Sequence, residues 1–108
     1  MGARLEFNYR WGYPPTVNEA RMTSIVRDTV QSTLGRGAVV EQDVTMGAED
    51  MSLVLREVPG CYFFLGSMNP KKGLVHPHHS AKFDFDEAAL PWGVELWLRL
   101  VEQFPKSS

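Results

Sequence analysis

The three histidines of the chain, His76, His78 and His79, all fall in the stretch 73–87, GLVHPHHSAKFDFDE. Neutral imidazole is the commonest metal ligand among side chains, and a carboxylate that accepts its other ring N–H fixes the tautomer presented to an ion. Asp84, Asp86 and Glu87 close the same stretch, so both residue types that a metal centre uses are neighbours in sequence. Chemistry, if this chain carries any, is expected here. His76 and His78 are two apart and share a side if the loop is extended, which offers a ligand pair beside His79. The plainer reading is a solvated connection that opens on Gly73 and is interrupted by Pro77. It has weight because zinc takes three or four ligands, more than one imidazole supplies.

The elements that must hold this loop follow from periodicity. Downstream, residues 87–90 read as a turn, and Pro91 suits the first position of a helix that runs to about Phe104. Val94, Trp97, Leu98, Val101 and Phe104 form its main apolar stripe, widened by Leu96 and Leu100, and so wide a face implies a packing partner. Trp92 and Trp97 read as core rather than as a substrate platform. Upstream, the run CYFFL at 61–65 is continuously apolar between Gly60 and Gly66, as in a central strand covered on both faces.

Nearer the N-terminus, Leu5, Phe7, Tyr9 and Trp11 alternate with Glu6, Asn8 and Arg10, the period of a half-buried strand that needs a sheet to join. Pro14 and Pro15 stop it, and residues 12–17 are a connector. Asn18 is the expected N-cap of an amphipathic helix with Glu19 in its first turn. Met22, Ile25, Val26, Val30 and Leu34 make its apolar face, and Gly35 and Gly37 end it. Arg21, Arg27 and Asp28 lie on its polar face and read as solvated surface. Residues 38–40 suggest a short strand. In TMGAED, Gly47 permits a turn, and Glu49 and Asp50 sit where a helix N-terminus favours carboxylates. A short helix to about Glu57 follows, broken by Val58-Pro59-Gly60. The sum is an α/β fold, a mixed sheet with helices packed on it.

With 108 residues the chain is the size of one domain, and 44% hydrophobic against 22% charged residues is a globular composition. A net charge of −2 without basic blocks points away from nucleic acid and from anionic membrane, and toward a small-molecule or protein partner. The single cysteine, Cys61, excludes an internal disulfide and reads as a buried structural thiol. With neither a signal-peptide pattern nor an apolar run of spanning length, a cytoplasmic location is expected.

Four segments together resemble one family. GYPPTVNEA (12–20), MGAEDMSLVLREVPG (46–60), CYFFLGSMNPKKG (61–73) and HSAKFDFDEAALPWG (79–93) are similar, in order and spacing, to the C-terminal part of the dinuclear metallo-amidohydrolases. That family includes aminoacylases, hippurate hydrolase, the plant auxin-conjugate hydrolases and relatives of carboxypeptidase G. The resemblance implies part of a zinc-exopeptidase-like catalytic domain, with residues 18–108 as its C-terminal part and residues 1–17 as the last strand of the lid domain and a connector. It implies a divalent metal cofactor, zinc, manganese, cobalt or nickel, and an N-acyl amino acid substrate in the complete enzyme.

Carried over by position, the histidine of the family's H-S-x-x-F pattern is the last of five metal ligands, which makes His79 the metal ligand, with His76 and His78 outside the pattern. Glu49 and Asp50 match an acidic pair at a helix start on the active-site side and take a supporting role; the alternative is that they only complement a helix dipole. The H-x-D and C-G-H-D motifs, the Glu-Glu pair with the general base, and the other metal histidine are not in these 108 residues, so no catalytic residue is expected in this chain. Ala81 replaces a common proline and Met51 a common phenylalanine, both tolerable in packing. Two expectations follow. One is the C-terminal segment of a metal-dependent amidohydrolase, inactive alone, with no metal bound in isolation, and partnered by its N-terminal portion. The other is a free-standing, non-catalytic remnant that folds and self-associates as a homo-oligomer.

Overall fold

Helix α1 (Ala20–Leu34) forms where the 3.6-residue pattern lies, and the computed structural model, which describes residues 1–107, shows how its ends are fixed. The Glu19 carboxylate accepts the backbone N–H groups of Arg21 and Met22 at 2.9 and 2.8 Å, satisfying donors that a helix start leaves open. Gly35 ends the helix at φ 93°, its N–H bonded to Gln31 O at 3.0 Å. The cap is therefore Glu19 and not the expected Asn18. The Asn18 side chain is committed elsewhere: its Nδ2 donates to Tyr62 O at 2.9 Å, and its Oδ1 accepts Tyr62 N–H at 2.7 Å. With Glu19 N–H bonded to Gly60 O at 2.9 Å, residues 60–62 are tied along the entry to α1.

Helix α2 (Met51–Glu57) ends where Val58 and Pro59 turn the chain outward. It lies close enough to the segment after it that a Cβ on Gly60 would come within 2.6 Å of Leu55 Cδ2. Helix α3 (Ala89–Gln103) starts earlier than expected, so Pro91 occupies its third position, where the missing N–H has no intrahelical partner to lose. Gly93 brings α3 against Leu65, since a Cβ there would sit 3.1 Å from Leu65 Cδ2. Helices α1 and α3 pack on each other, and the contact face of α3 is the one carrying Leu96, 3% exposed, and half-buried Leu100. Thr29 of α1 is also 3% exposed; its hydroxyl bonds back to Ile25 O at 2.7 Å, so its burial leaves no orphan donor.

The expected mixed sheet, and with it the α/β class, is corrected: among the described residues there are three α-helices, short 3₁₀ turns and no strand. The nearest thing to a ladder is a single antiparallel bridge, Asn69 to Leu74. Alternation prepares a segment for pairing, but a strand exists only where a second backbone supplies the complementary groups. Residues 5–11 keep their forecast side, with the rings of Phe7 and Tyr9 stacked at 6.2 Å and Tyr9 and Trp11 edge-to-face at 5.0 Å. No neighbouring strand meets them. At 61–65 the place of a neighbour beside Tyr62 is taken by the Asn18 amide, which imitates one peptide unit and stops there. The short strand forecast at 38–40 is likewise replaced by a 3₁₀ turn, Arg36–Ala38, followed by coil.

The stripe of α3 is turned out rather than in: Trp97 is 66% and Val101 70% exposed, and Val94, Leu98, Phe104 and Trp92 are exposed beside them. The two tryptophans are thus not core. The chain has a radius of gyration of 18.5 Å, whereas a compact domain of this length has roughly 13 Å. Its accessible surface is 9566 Å², against about 6,100 Å² for a compact monomer of this mass. Much apolar surface is left without cover.

Candidate functional site

The histidine loop springs from a tight corner. Asn69 and Leu74 exchange two backbone hydrogen bonds, both 2.9 Å, across the 3₁₀ turn Pro70–Lys72, which Gly73 closes in the left-handed conformation at φ 72°. Beyond it the chain bends twice, with Ser80 N–H to Pro77 O at 3.2 Å and Phe83 N–H to Ser80 O at 3.0 Å. It returns to the corner at Asp86, whose N–H donates to Ser67 O at 2.9 Å.

The three imidazoles are all exposed and do not converge. His78 stacks on Phe83 with centroids 4.4 Å apart, and Phe83 stacks in turn near Phe85 at 6.4 Å. His79 has φ 67°, the one non-glycine residue with positive φ among those described. Histidine tolerates this region better than most side chains, and a non-glycine residue held there is a point where the surrounding structure overrides local preference. Among the described residues no group of three or more His, Cys, Asp or Glu side chains comes together to hold an ion. The residues present do not by themselves fit a metal centre.

Glu49 and Asp50 stand at the start of α2. Glu49 Oε1 accepts Met51 N–H at 3.2 Å, while its Oε2 accepts the hydroxyl of Tyr62 at 3.0 Å. The neighbouring Asp50 side chain, then the Met51 N–H, then the Tyr62 hydroxyl hold the Glu49 carboxyl below its ordinary value. The same bond to Glu49, helped by desolvation, raises Tyr62. This ties α2 to the 61–65 segment, and through Asn18 to the start of α1, so Glu49 has a defined structural task. Sequence reading did not single out Tyr62, whose only signal was a hydroxyl in an otherwise apolar run. Asp86, read from sequence only as one of the carboxylates that close the histidine stretch, is held below the ordinary aspartate value by the Asn69 side chain first, then by Ala88 N–H and Lys72. The grooves beside the α1–α3 packing, lined by residues such as Ser32, Trp92, Arg99 and Gln103, contain none of the histidines and neither Glu49 nor Asp50. No helix among the described residues is long and apolar enough to cross a membrane.

Residues 3–103 match the peptidase family M20/M25/M40, and the chain belongs to that family. It is 46% identical over 81 residues to thermostable carboxypeptidase 1 of Saccharolobus solfataricus, covering 75% of this chain and 20% of that protein. It is 36% identical over 89 residues to the putative amidohydrolase YhaA of Bacillus subtilis, covering 82% of this chain and 22% of that protein. With IAA-amino acid hydrolase ILR1-like 4 of Arabidopsis thaliana it shares 29% identity over 92 residues, 85% of this chain and 21% of the relative. The chain thus spans about a fifth of the length of the curated relatives it matches. No solved structure matches it.

Proposed function

We propose that this chain is the C-terminal segment of a metal-dependent amidohydrolase that cleaves N-acyl amino acids or related amides, and that it is inactive by itself. The observation that carries this reading is a family match across residues 3–103 by a chain that spans only a fifth of its relatives. The relatives are named as a carboxypeptidase, a putative amidohydrolase and an IAA-amino acid hydrolase, all of them hydrolases. In this reading His79 is one ligand to a divalent ion, zinc, manganese, cobalt or nickel. The other ligands and the general base come from sequence outside these 108 residues; among the described residues no group of three or more His, Cys, Asp or Glu side chains comes together to hold an ion. Glu49 and Asp50 support the site through α2, residues 1–17 belong to the lid side, and residues 18–108 to the catalytic side.

The test joins this chain to the N-terminal four fifths of the Saccharolobus carboxypeptidase and assays N-acetyl amino acids and hippurate with each metal. The isolated chain is expected to show no turnover, because hydrolysis of this kind needs an activated water and a proton shuttle. The chimera is expected to turn over and to lose activity in His79→Asn, a substitution that keeps a residue at ease with positive φ while removing the imidazole. Metal-dependent turnover by the isolated chain that vanishes in His79→Ala overturns the proposal.

A second reading, a non-catalytic chain that self-associates, is favoured by one observation. Leu5, Phe7, Tyr9 and Trp11 are 62–89% exposed on a segment with no ladder partner. An inactive chimera together with a stable homo-oligomer of the isolated chain would select it.

A further inference from the structure

Asp86 does more than precede α3. Its side chain, 16% exposed, takes the Asn69 Nδ2 donor on Oδ2 at 2.7 Å. On Oδ1 it takes Lys72 Nζ at 3.2 Å and Ala88 N–H at 3.1 Å. The orientation of Asn69 is forced, because its Oδ1 already accepts Lys71 N–H at 3.1 Å, leaving the amino end for Asp86. Asn69 is also the residue that bridges to Leu74. One carboxylate therefore grips the corner where the histidine loop leaves, the turn behind that corner, and the first turn of the helix the loop enters. Within the loop the only backbone bonds between its own residues are the two short turns at 77–80 and 80–83, which cannot by themselves fix its ends.

We propose that Asp86 is the positioning residue of the histidine loop: by holding Asn69, Lys72 and the start of α3 together it locks the two ends of residues 75–85, which backbone bonds at Leu74 and Ser67 bring together, and with them the place of His79. His79 is the third residue of the hydrogen-bonded turn 77–80, a position where positive φ belongs, and the clamp holds the ends between which that turn sits. The bearing of the clamp on catalysis rests on the ligand reading of His79 above. The clamp itself does not.

Asp86→Ser separates this role from simple helix capping, because serine still caps the Ala88 N–H but is too short to reach Asn69 and Lys72. Amide exchange on the whole chain is expected to rise severalfold at Leu74, Ser80 and Phe83 and to stay unchanged at Gly35 and through α1. Lys72→Ala, an exposed change that leaves the Asn69 bond, is expected to raise the same amides by a smaller factor, and it decides the matter if Asp86→Ser does not fold. With zinc alone at millimolar concentration, any shift of the His79 ring protons that the parent chain gives is expected to weaken in Asp86→Ser. Unchanged loop exchange overturns the proposal, and so does a rise of equal size in α1, which would mark general destabilisation. A zinc shift at His79 as large as in the parent, with the loop loosened, also overturns it. A loosened loop with no zinc shift in the parent chain supports the clamp, and the ligand reading is then decided by His79→Asn in the chimera.

Discussion

The Tyr62 hydroxyl donates to Glu49 Oε2 at 3.0 Å, joining a residue of the apolar 61–65 run to the residue that caps α2. The bond favours protonated Tyr62 and ionised Glu49: it is the largest cause that moves Tyr62 up from 10.0, and it adds to the Asp50 side chain and the Met51 N–H in moving Glu49 down from 4.5. The raised Tyr62 contributes stability that is complete below the unfolded tyrosine value and is lost as pH rises through its folded value. The depressed Glu49 contributes above the unfolded glutamate value and is lost as pH falls through its folded one.

A Tyr62-specific titration, followed through its ring Cζ resonance, is accordingly expected to have a midpoint above 10.0 in the parent chain. In Glu49→Ala that midpoint should fall toward the ordinary tyrosine value, with desolvation and the Asp50 charge left to hold it up. A midpoint that does not fall in Glu49→Ala would show that this bond is not the cause.

Ser52 is fully buried on α2, and its hydroxyl finds no partner among the described residues. A buried donor left unmade costs about 1–3 kcal/mol relative to an apolar group of the same shape. Ser52→Ala is therefore expected to leave the urea midpoint unchanged or raise it, and alanine also has the higher helix propensity. A loss above about 1 kcal/mol would reveal a hydrogen bond at Ser52 of the size such bonds contribute.

His79 sits at φ 67°, and a left-handed backbone costs an ordinary side chain about 1–2 kcal/mol. His79→Gly removes that cost at the expense of a more flexible unfolded chain, so stability should change by less than about 1 kcal/mol. His79→Val, β-branched and poorly suited to positive φ, should lower stability by about 1–2 kcal/mol. Paired urea melts check the difference between the two. Equal melts would mean that the loop relaxes and that no backbone constraint exists at position 79.

The helices were legible because their signal is local: apolar residues at 3.6 spacing placed α1, and Pro59 and Gly60 marked the end of α2. The errors came where distant residues compete for a group. Asn18 looked like a cap, but its amide is drawn to Tyr62 in a segment far along the chain, and Glu19 takes the cap instead. The alternation of Leu5, Phe7, Tyr9 and Trp11 reported a shared face correctly, yet no single-chain pattern says whether a second backbone lies beside it. For α3 the periodicity gave the width of the apolar stripe but not which part is covered, and Leu96 rather than Trp97 meets α1. At the site, His79 was reached through a resemblance. Asp86 was legible only as a carboxylate near the histidines, because its role exists only once Asn69, Lys72 and Ala88 are brought around it.

The uncovered surface bears on assembly. The 9566 Å² of accessible area exceeds that of a compact monomer of this mass by roughly 3,500 Å². Over two chains that is about 7,000 Å², more than the roughly 2,000–5,000 Å² that an obligate interface buries in total. Two faces concentrate it, the aromatic side of residues 5–11 and the outer stripe of α3. Burying a large apolar side chain is worth roughly 1.5–3 kcal/mol, so leaving Leu5, Phe7, Tyr9 and Trp11 wet wastes a driving force comparable to a whole domain's stability. Backbone groups of an extended segment outside any ladder also invite a second chain. The isolated chain is expected to form a homo-oligomer, most simply a twofold dimer in which residues 3–11 pair or pack across the axis. Sedimentation equilibrium at micromolar concentration should give a mass above 12.2 kDa, falling toward the monomer in Phe7→Glu. A monomeric parent whose mass and solubility are the same in Phe7→Glu would refute the dimer. A Phe7→Glu chain that stays dimeric while Trp97→Glu becomes monomeric would move the interface to α3.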